Sequence, residues 1–221
     1  MNSKSILAGA ALVFAATAHA NPEIVPFVGD EETRIRPDRV YTHALDFGKK
    51  WNDPWVNGVQ FKSTGQDGAN DAGYSWDGFP ESDFDFQDGS PLISTPHSET
   101  GIYQVLGDFN FGKASGSAWL RGLTPGIVYE TRFYHRPFSS GDRWQTFTFK
   151  PGGGAEDAKR FNPDGQLEDQ MLIYRFEAVN ADLEIVFDSS ENPEDTYHCY
   201  GLVNEQVYEV APEGGGGTLL M

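Results

Sequence analysis

Between Trp119 and Phe149 the chain reads WLRGLTPGIVYETRFYHRPFSSGDRWQTFTF, and this stretch constrains the fold more than any other. Leu123-Thr124-Pro125-Gly126 supplies a turn, because Pro presets φ and Gly accepts φ > 0. Val128 to Phe138 follows with aromatic and β-branched residues, then Ser139-Ser140-Gly141-Asp142 turns the chain into Arg143 to Phe149. Two apolar strands joined by a polar, Gly-containing loop predict an antiparallel hairpin.

The same grammar extends over the rest of the chain. Strands are predicted at Arg39–Phe47, Val56–Ser63, Tyr74–Phe79, Ser82–Phe86, Ser117–Arg121, Gln170–Val179, Asp182–Asp188, Tyr197–Val203 and Gln206–Val210. Asn180-Ala181 reads as a tight hairpin turn, Asn204-Glu205 falls between the last two strands, and Pro151 to Asp164 reads as a Gly-rich loop with charges. Leu183, Ile185 and Phe187 alternate with Glu184, Val186 and Asp188, so one face of that strand belongs to a core. Ser98 to Phe109 is the one helical candidate, with Ile102, Val105, Leu106 and Phe109 on one face. Many short strands with a single short helix imply an all-β fold, an antiparallel β-sandwich of jelly-roll type. The expected organisation is a leader at 1–20, a linker or loose arm at 21–38, one sandwich domain at 39–211 and a flexible tail at 212–221.

The leader carries Lys4, an apolar run from Ile6 to Thr17 too short to span a bilayer, and Ala18-His19-Ala20 as a small-x-small cleavage site. Cleavage after Ala20 places the mature chain in the periplasm, at the cell surface or outside the cell. No second apolar run approaches membrane length, so no membrane insertion is expected. Cys199 is the lone cysteine, excluding an intramolecular disulfide; it lies in an apolar run and reads as a buried, inert thiol. With 16 Lys+Arg against 33 Asp+Glu the net charge is −17. Nucleic acid and anionic membranes need a basic face and are excluded as partners.

The segments YTHALDFG, VNGVQF, GIYQVLGDFNFG, GLTPGIVYETRFYHRPF, GDRWQTFTF and YHCYGLVNEQVYEV, in that order, resemble the galactose-binding-like jelly-roll domains of secreted bacterial proteins, a class that includes many carbohydrate-binding modules. The most specific parts of the resemblance are Leu120 to Tyr129 and Tyr200 to Glu205. They place turns and strands and carry over no catalytic residue. Such domains bind sugars, peptides or lipids, or serve as spacers, and this is all the resemblance implies about function.

Three places invite a ligand. Tyr134, His135, Arg136, Arg143 and Trp144 flank the Ser139–Asp142 loop, where an aromatic face and planar polar groups would suit a sugar ring. The alternative is that Tyr134 and Trp144 face the core while the arginines pair with surface acids. Trp51, Trp55, Tyr74, Trp76 and Phe79 form an aromatic cluster that is either a binding platform or core packing. Asp83, Asp85 and Asp88, or Asp67, Asn70 and Asp71, offer oxygen ligands for a structural Ca²⁺, although neither run matches an EF-hand. No cofactor is otherwise called for.

Catalytic motifs are absent from the sequence: there is no H-E-x-x-H and no G-x-S-x-G. The leading expectation is an exported, non-catalytic domain that recognises carbohydrate or another extracellular or cell-envelope polymer. A structural or adhesive surface protein is the alternative. A polysaccharide lyase or hydrolase comes third, with Tyr134 or His135 as base and Arg136 neutralising a uronate.

Overall fold

The three strands of the Trp119–Phe149 stretch form, but they do not pair with one another. β9 (Ser115–Arg121) and β11 (Gln145–Gly152) lie in one sheet and β10 (Val128–His135) in another, so the chain crosses the sandwich at both turns. The computed structural model describes residues 20–47, 53–63, 74–77, 83–85, 100–112, 115–138, 141–165, 168–191 and 197–208. Residues 1–19 of the leader, the Gln66–Gly73 loop, and the 212–221 tail lie outside them.

The larger sheet has six strands in the order β1 (Glu23–Pro26), β13 (Gln170–Glu177), β10, β16 (Gly201–Gln206), β2 (Tyr41–Asp46) and β5 (Lys62–Ser63). All pairs are antiparallel except β2 with β5. The second sheet has five strands: β12 (Ala155–Phe161), β11, β14 (Asp182–Asp188), β9 and β6 (Tyr74–Asp77). β15 (Tyr197–Cys199), β8 (Asp108–Gly112) and β7 (Asp83–Asp85) form a small third sheet. A two-stranded ribbon joins β3 (Trp55–Val56) to β4 (Val59–Gln60). Its turn residues Asn57 and Gly58 have φ of 48° and 81°, the paired left-handed conformations that a two-residue hairpin turn needs.

The two large sheets differ in how many faces they bury, and the sequence shows why. β11 and β14 alternate buried and half-buried residues, placing Phe147, Phe149, Leu183, Ile185 and Phe187 inward. β10, β13 and β16 have long buried runs because a second core covers their outer face. In β10, Phe133 enters the core between the sheets, while Tyr134 enters the other core with Phe27, Ile35, Val56, Phe61, Ile102 and Val105. Ring packing holds the first core together: Phe147 meets Phe187 edge-on at 4.6 Å, and Phe149 stacks on Tyr174 at 4.4 Å.

Several expectations are corrected. Residues 21–38 are no loose arm: β1 adds to the edge of the large sheet with Ile24 opposite Leu172, and Phe27 and Ile35 are buried. The turn at Asn180-Ala181 joins β13 to β14 across the sandwich rather than closing a hairpin. Asn204 and Glu205 sit within β16, because Asn204 bonds Thr131 and Thr42 on the two flanking strands. The supposed Gly-rich loop contains β12, a charged edge strand. The helix shrinks to α2 (Ile102–Val105), and Phe109 enters β8; a second four-residue helix, α1 (Gly29–Glu32), precedes it. Asp30 of α1 accepts the Ile102 backbone N–H at 2.7 Å, tying the two helices together.

Candidate functional site

Both large sheets end on one side in an edge strand, β1 in the first and β12 in the second. Between these edges opens a pocket of about 350 Å³, lined by Ile24, Pro26, Trp144, Phe161, Asn162, Glu168 and Gln170. Strand alternation accounts for the first wall. Ile24 and Pro26 are two residues apart and stand opposite Leu172 and Gln170, so all four project to the inter-sheet face. Pro26 is tolerated because an edge strand has no outer ladder to supply with an N–H. On the second wall Phe161 ends β12 opposite Gln145, and Asn162 follows it. Trp144 immediately precedes β11 and is half-buried.

Of the five residues predicted to form a binding patch, only Trp144 lines this pocket. Arg136 is 1% exposed and donates through Nε and Nη2 to Asp169 Oδ1 and Oδ2 at 3.0 and 3.2 Å. Asp169 also gives its backbone carbonyl to Phe27 N–H. The pair thus fixes the segment that carries Glu168 and Gln170 against the end of β1. Arg143, 3% exposed, donates from Nε to Asp164 Oδ2 at 3.0 Å, and its backbone N–H binds Asn162 Oδ1 at 3.0 Å. Asn162 Nδ2 reaches Asp142 Oδ1, which ties the Trp144 segment to the end of β12. The two arginines therefore brace the pocket, and the acids they pair with are buried rather than the surface acids of the alternative reading.

Tyr134 and His135 are also buried, on opposite faces of β10. The Tyr134 hydroxyl donates to the Thr33 carbonyl, and burial raises its pKa. His135 lies among Phe133, Phe147, Phe161 and Tyr200, its ring centre 5.0 Å from that of Phe161. Neither of its nitrogens has a hydrogen-bond partner among the described residues, and burial lowers its pKa to about 3. Gln145 uses Oε1 to accept His198 N–H, while its Nε2 has no partner among the described residues. Phe161 thus separates the pocket from two buried, incompletely bonded polar groups. Cys199 is buried as expected, and burial raises its thiol pKa.

The pocket tryptophan has one further neighbour. The Arg160 guanidinium lies 3.8 Å from the centre of the Trp144 ring and is itself paired with Glu191 at 2.7 Å. Arg160 itself is not among the lining residues. In the aromatic cluster Trp55 is 56% exposed on β3, Tyr74 and Trp76 are in β6, and Trp51 and Phe79 fall outside the described residues. Asp83 and Asp85 lie in β7 beside β8, and Asp88, Asp67, Asn70 and Asp71 fall outside the described residues. Among the described residues no group of three or more His, Cys, Asp or Glu side chains is arranged to hold a metal, and no helix is long and apolar enough to cross a membrane.

No protein-family model matches the chain, and no curated protein does. Solved structures share its fold. A calcium-binding mutant of Bacteroides uniformis beta-glucuronidase 2 aligns over 79% of this chain with a TM-score of 0.53 at 14% identity. A Bacteroides uniformis beta-glucuronidase aligns over 75% with a TM-score of 0.51, also at 14% identity. The chain spans about a fifth of the length of these two, 19% and 18%. TmCBM61, solved in complex with beta-1,4-galactotriose, aligns over 63% of this chain and 90% of its own at 12% identity, with a TM-score of 0.35. At 14% identity the likeness to the two glucuronidases is one of fold alone.

Proposed function

We propose that the protein is an exported, non-catalytic sandwich domain that holds a carbohydrate in the pocket between β1 and β12. The observation that carries this reading is the pocket's composition: one indole with amide and carboxylate side chains in about 350 Å³, a size within the range of small-ligand sites. An indole face suits the apolar side of a sugar ring, while Gln170 and Glu168 supply hydrogen-bonding groups for hydroxyls. Buried ion pairs hold both walls, so the pocket is pre-organised and loses little entropy on binding. The non-catalytic part of the reading is supported by the dispersal of the lyase-like trio. Tyr134 faces the second core, His135 is kept neutral, and Arg136 is committed to Asp169.

The test is retention on a glycan array and on insoluble polysaccharides. Trp144→Ala is expected to abolish retention while the protein stays folded, since Trp144 is only half-buried. Undiminished retention of that variant would overturn the assignment of the pocket. An adhesive role is the second reading, and Trp55, 56% exposed at the ribbon, favours it. Loss of surface attachment in Trp55→Ala with glycan retention intact would support that role.

A further inference from the structure

We infer that the pocket selects neutral and amine-bearing saccharides and rejects uronates, with Glu168 as the selecting side chain. This rests on the reading of the pocket as a saccharide site and adds the chemical class of the ligand.

Among the described residues Glu168 is the one charged side chain that lines the pocket, and it is exposed. The charges just behind the lining reinforce its sign. Glu23 adjoins Ile24 on β1, and Asp142 is bonded to Asn162; both are exposed. Three arginines near the walls are matched, and Lys159, half-buried on the Phe161 face of β12, is not part of the lining. Arg136 is bonded to Asp169, Arg143 to Asp164, and Arg160 to Glu191. Whatever enters therefore meets a carboxylate, with no guanidinium or ammonium among the described lining residues to receive an anion. The whole chain, at −17, adds a repulsive field for anions and an attractive one for cations. A uronate would bring a second carboxylate beside Glu168, whereas a protonated amino sugar would pair with it. A neutral sugar uses the indole, Gln170 and the Glu168 oxygens as acceptors and is indifferent to the charge.

An exposed charge pair of this kind is worth a factor of about two to five in affinity at moderate salt. The probe is an array of gluco-, galacto- and manno-configured oligosaccharides, each in neutral, amino and uronate form, read at about pH 6, below the usual amine range. In the retained configuration the amino form is expected to bind about two- to fivefold more tightly than the neutral form, and the uronate more weakly by a similar factor. Raising salt to about 1 M should collapse the spread without abolishing binding of the neutral form. Glu168→Gln should equalise the three forms, and Glu168→Lys should reverse their order. Uronates bound as tightly as amines by the native protein, or an order unchanged in Glu168→Lys, would overturn the selectivity while leaving the saccharide site standing. Retention of no form in any configuration would overturn both.

Discussion

Arg136 meets Asp169 side-on, Nε to Oδ1 at 3.0 Å and Nη2 to Oδ2 at 3.2 Å, with side-chain exposures of 0% and 1%. Two parallel bonds between buried charges fix geometry as well as distance. Removing one partner leaves the other charged and unpaired in the interior, which costs on the order of 3–5 kcal/mol. Asp169→Asn should therefore lower the unfolding free energy by about that amount in a denaturant titration. The double variant Arg136→Leu/Asp169→Leu should recover much of the loss, because no uncompensated charge remains. A single variant as stable as the native protein would mean that the pair is not what anchors this wall.

A second expectation concerns acid. Burial holds the His135 pKa near about 3, below its ordinary 6.5, and His198 is lowered as well, by burial first and then by Arg143 and His135. For a histidine whose folded pKa is depressed, the unfolded chain takes up the proton first. The stability it permits is complete above pH 6.5 and falls progressively as pH drops toward about 3. His135→Leu removes that proton uptake and also two unsatisfied nitrogens from the core. Its stability at pH 7 should match or exceed that of the native protein, and the gap should widen by up to about 4 kcal/mol on acidification. Parallel pH–stability curves for the two proteins would show that His135 is not buried neutral.

Gly201 offers a test of packing that is independent of any ligand. A Cβ there would run into the Val105 side chain and stand 3.0 Å from the Leu45 carbonyl, so the glycine is what lets α2 lie on the large sheet. Gly201→Ala should cost about 1–3 kcal/mol by overpacking. Partial relief by the companion change Val105→Ala, read from thermal unfolding of the pair, is the expected sign that the clash is with this side chain.

Much of this architecture is legible in the chain, and the failures share a cause. Period-two alternation in β11 and β14 announces strands whose single inner face is a core, and those strands are found. Alternation does not say which strand is the neighbour, so consecutive strands across a sandwich look locally like hairpins. β1 reads as EIVP in an acidic, proline-containing segment, and β12 as AEDAKRF, because edge strands need few apolar residues. The pocket was half visible: Trp144 was identified, while Ile24, Pro26, Phe161, Glu168 and Gln170 come from separate segments that meet only in the folded chain. For Arg136 and Arg143 the sequence leaves ligand contact and ion pairing both open, and it does not point to their buried partners. Their partners Asp169 and Asp164 lie 33 and 21 residues away, and nothing local distinguishes these acids from the many others.

The stack of Arg160 on Trp144 gives the last expectation. A guanidinium 3.8 Å from the ring centre, held by Glu191, restrains the indole without occupying the pocket. Arg160 and Glu191 are largely exposed at 46% and 67%, so the ion pair contributes little to folding. The cation–π contact at such a site is worth about 0.5–1 kcal/mol. Arg160→Ala should therefore leave the melting temperature nearly unchanged while weakening glycan retention about two- to fivefold, because the freed indole must be ordered again on binding. Arg160→Lys should restore part of the effect, since an ammonium also attracts the ring but lacks the planar stack. Glu191→Gln should fall between the native protein and Arg160→Ala. Retention insensitive to Arg160→Ala, in a protein where Trp144→Ala abolishes it, would show that the indole needs no restraint from Arg160.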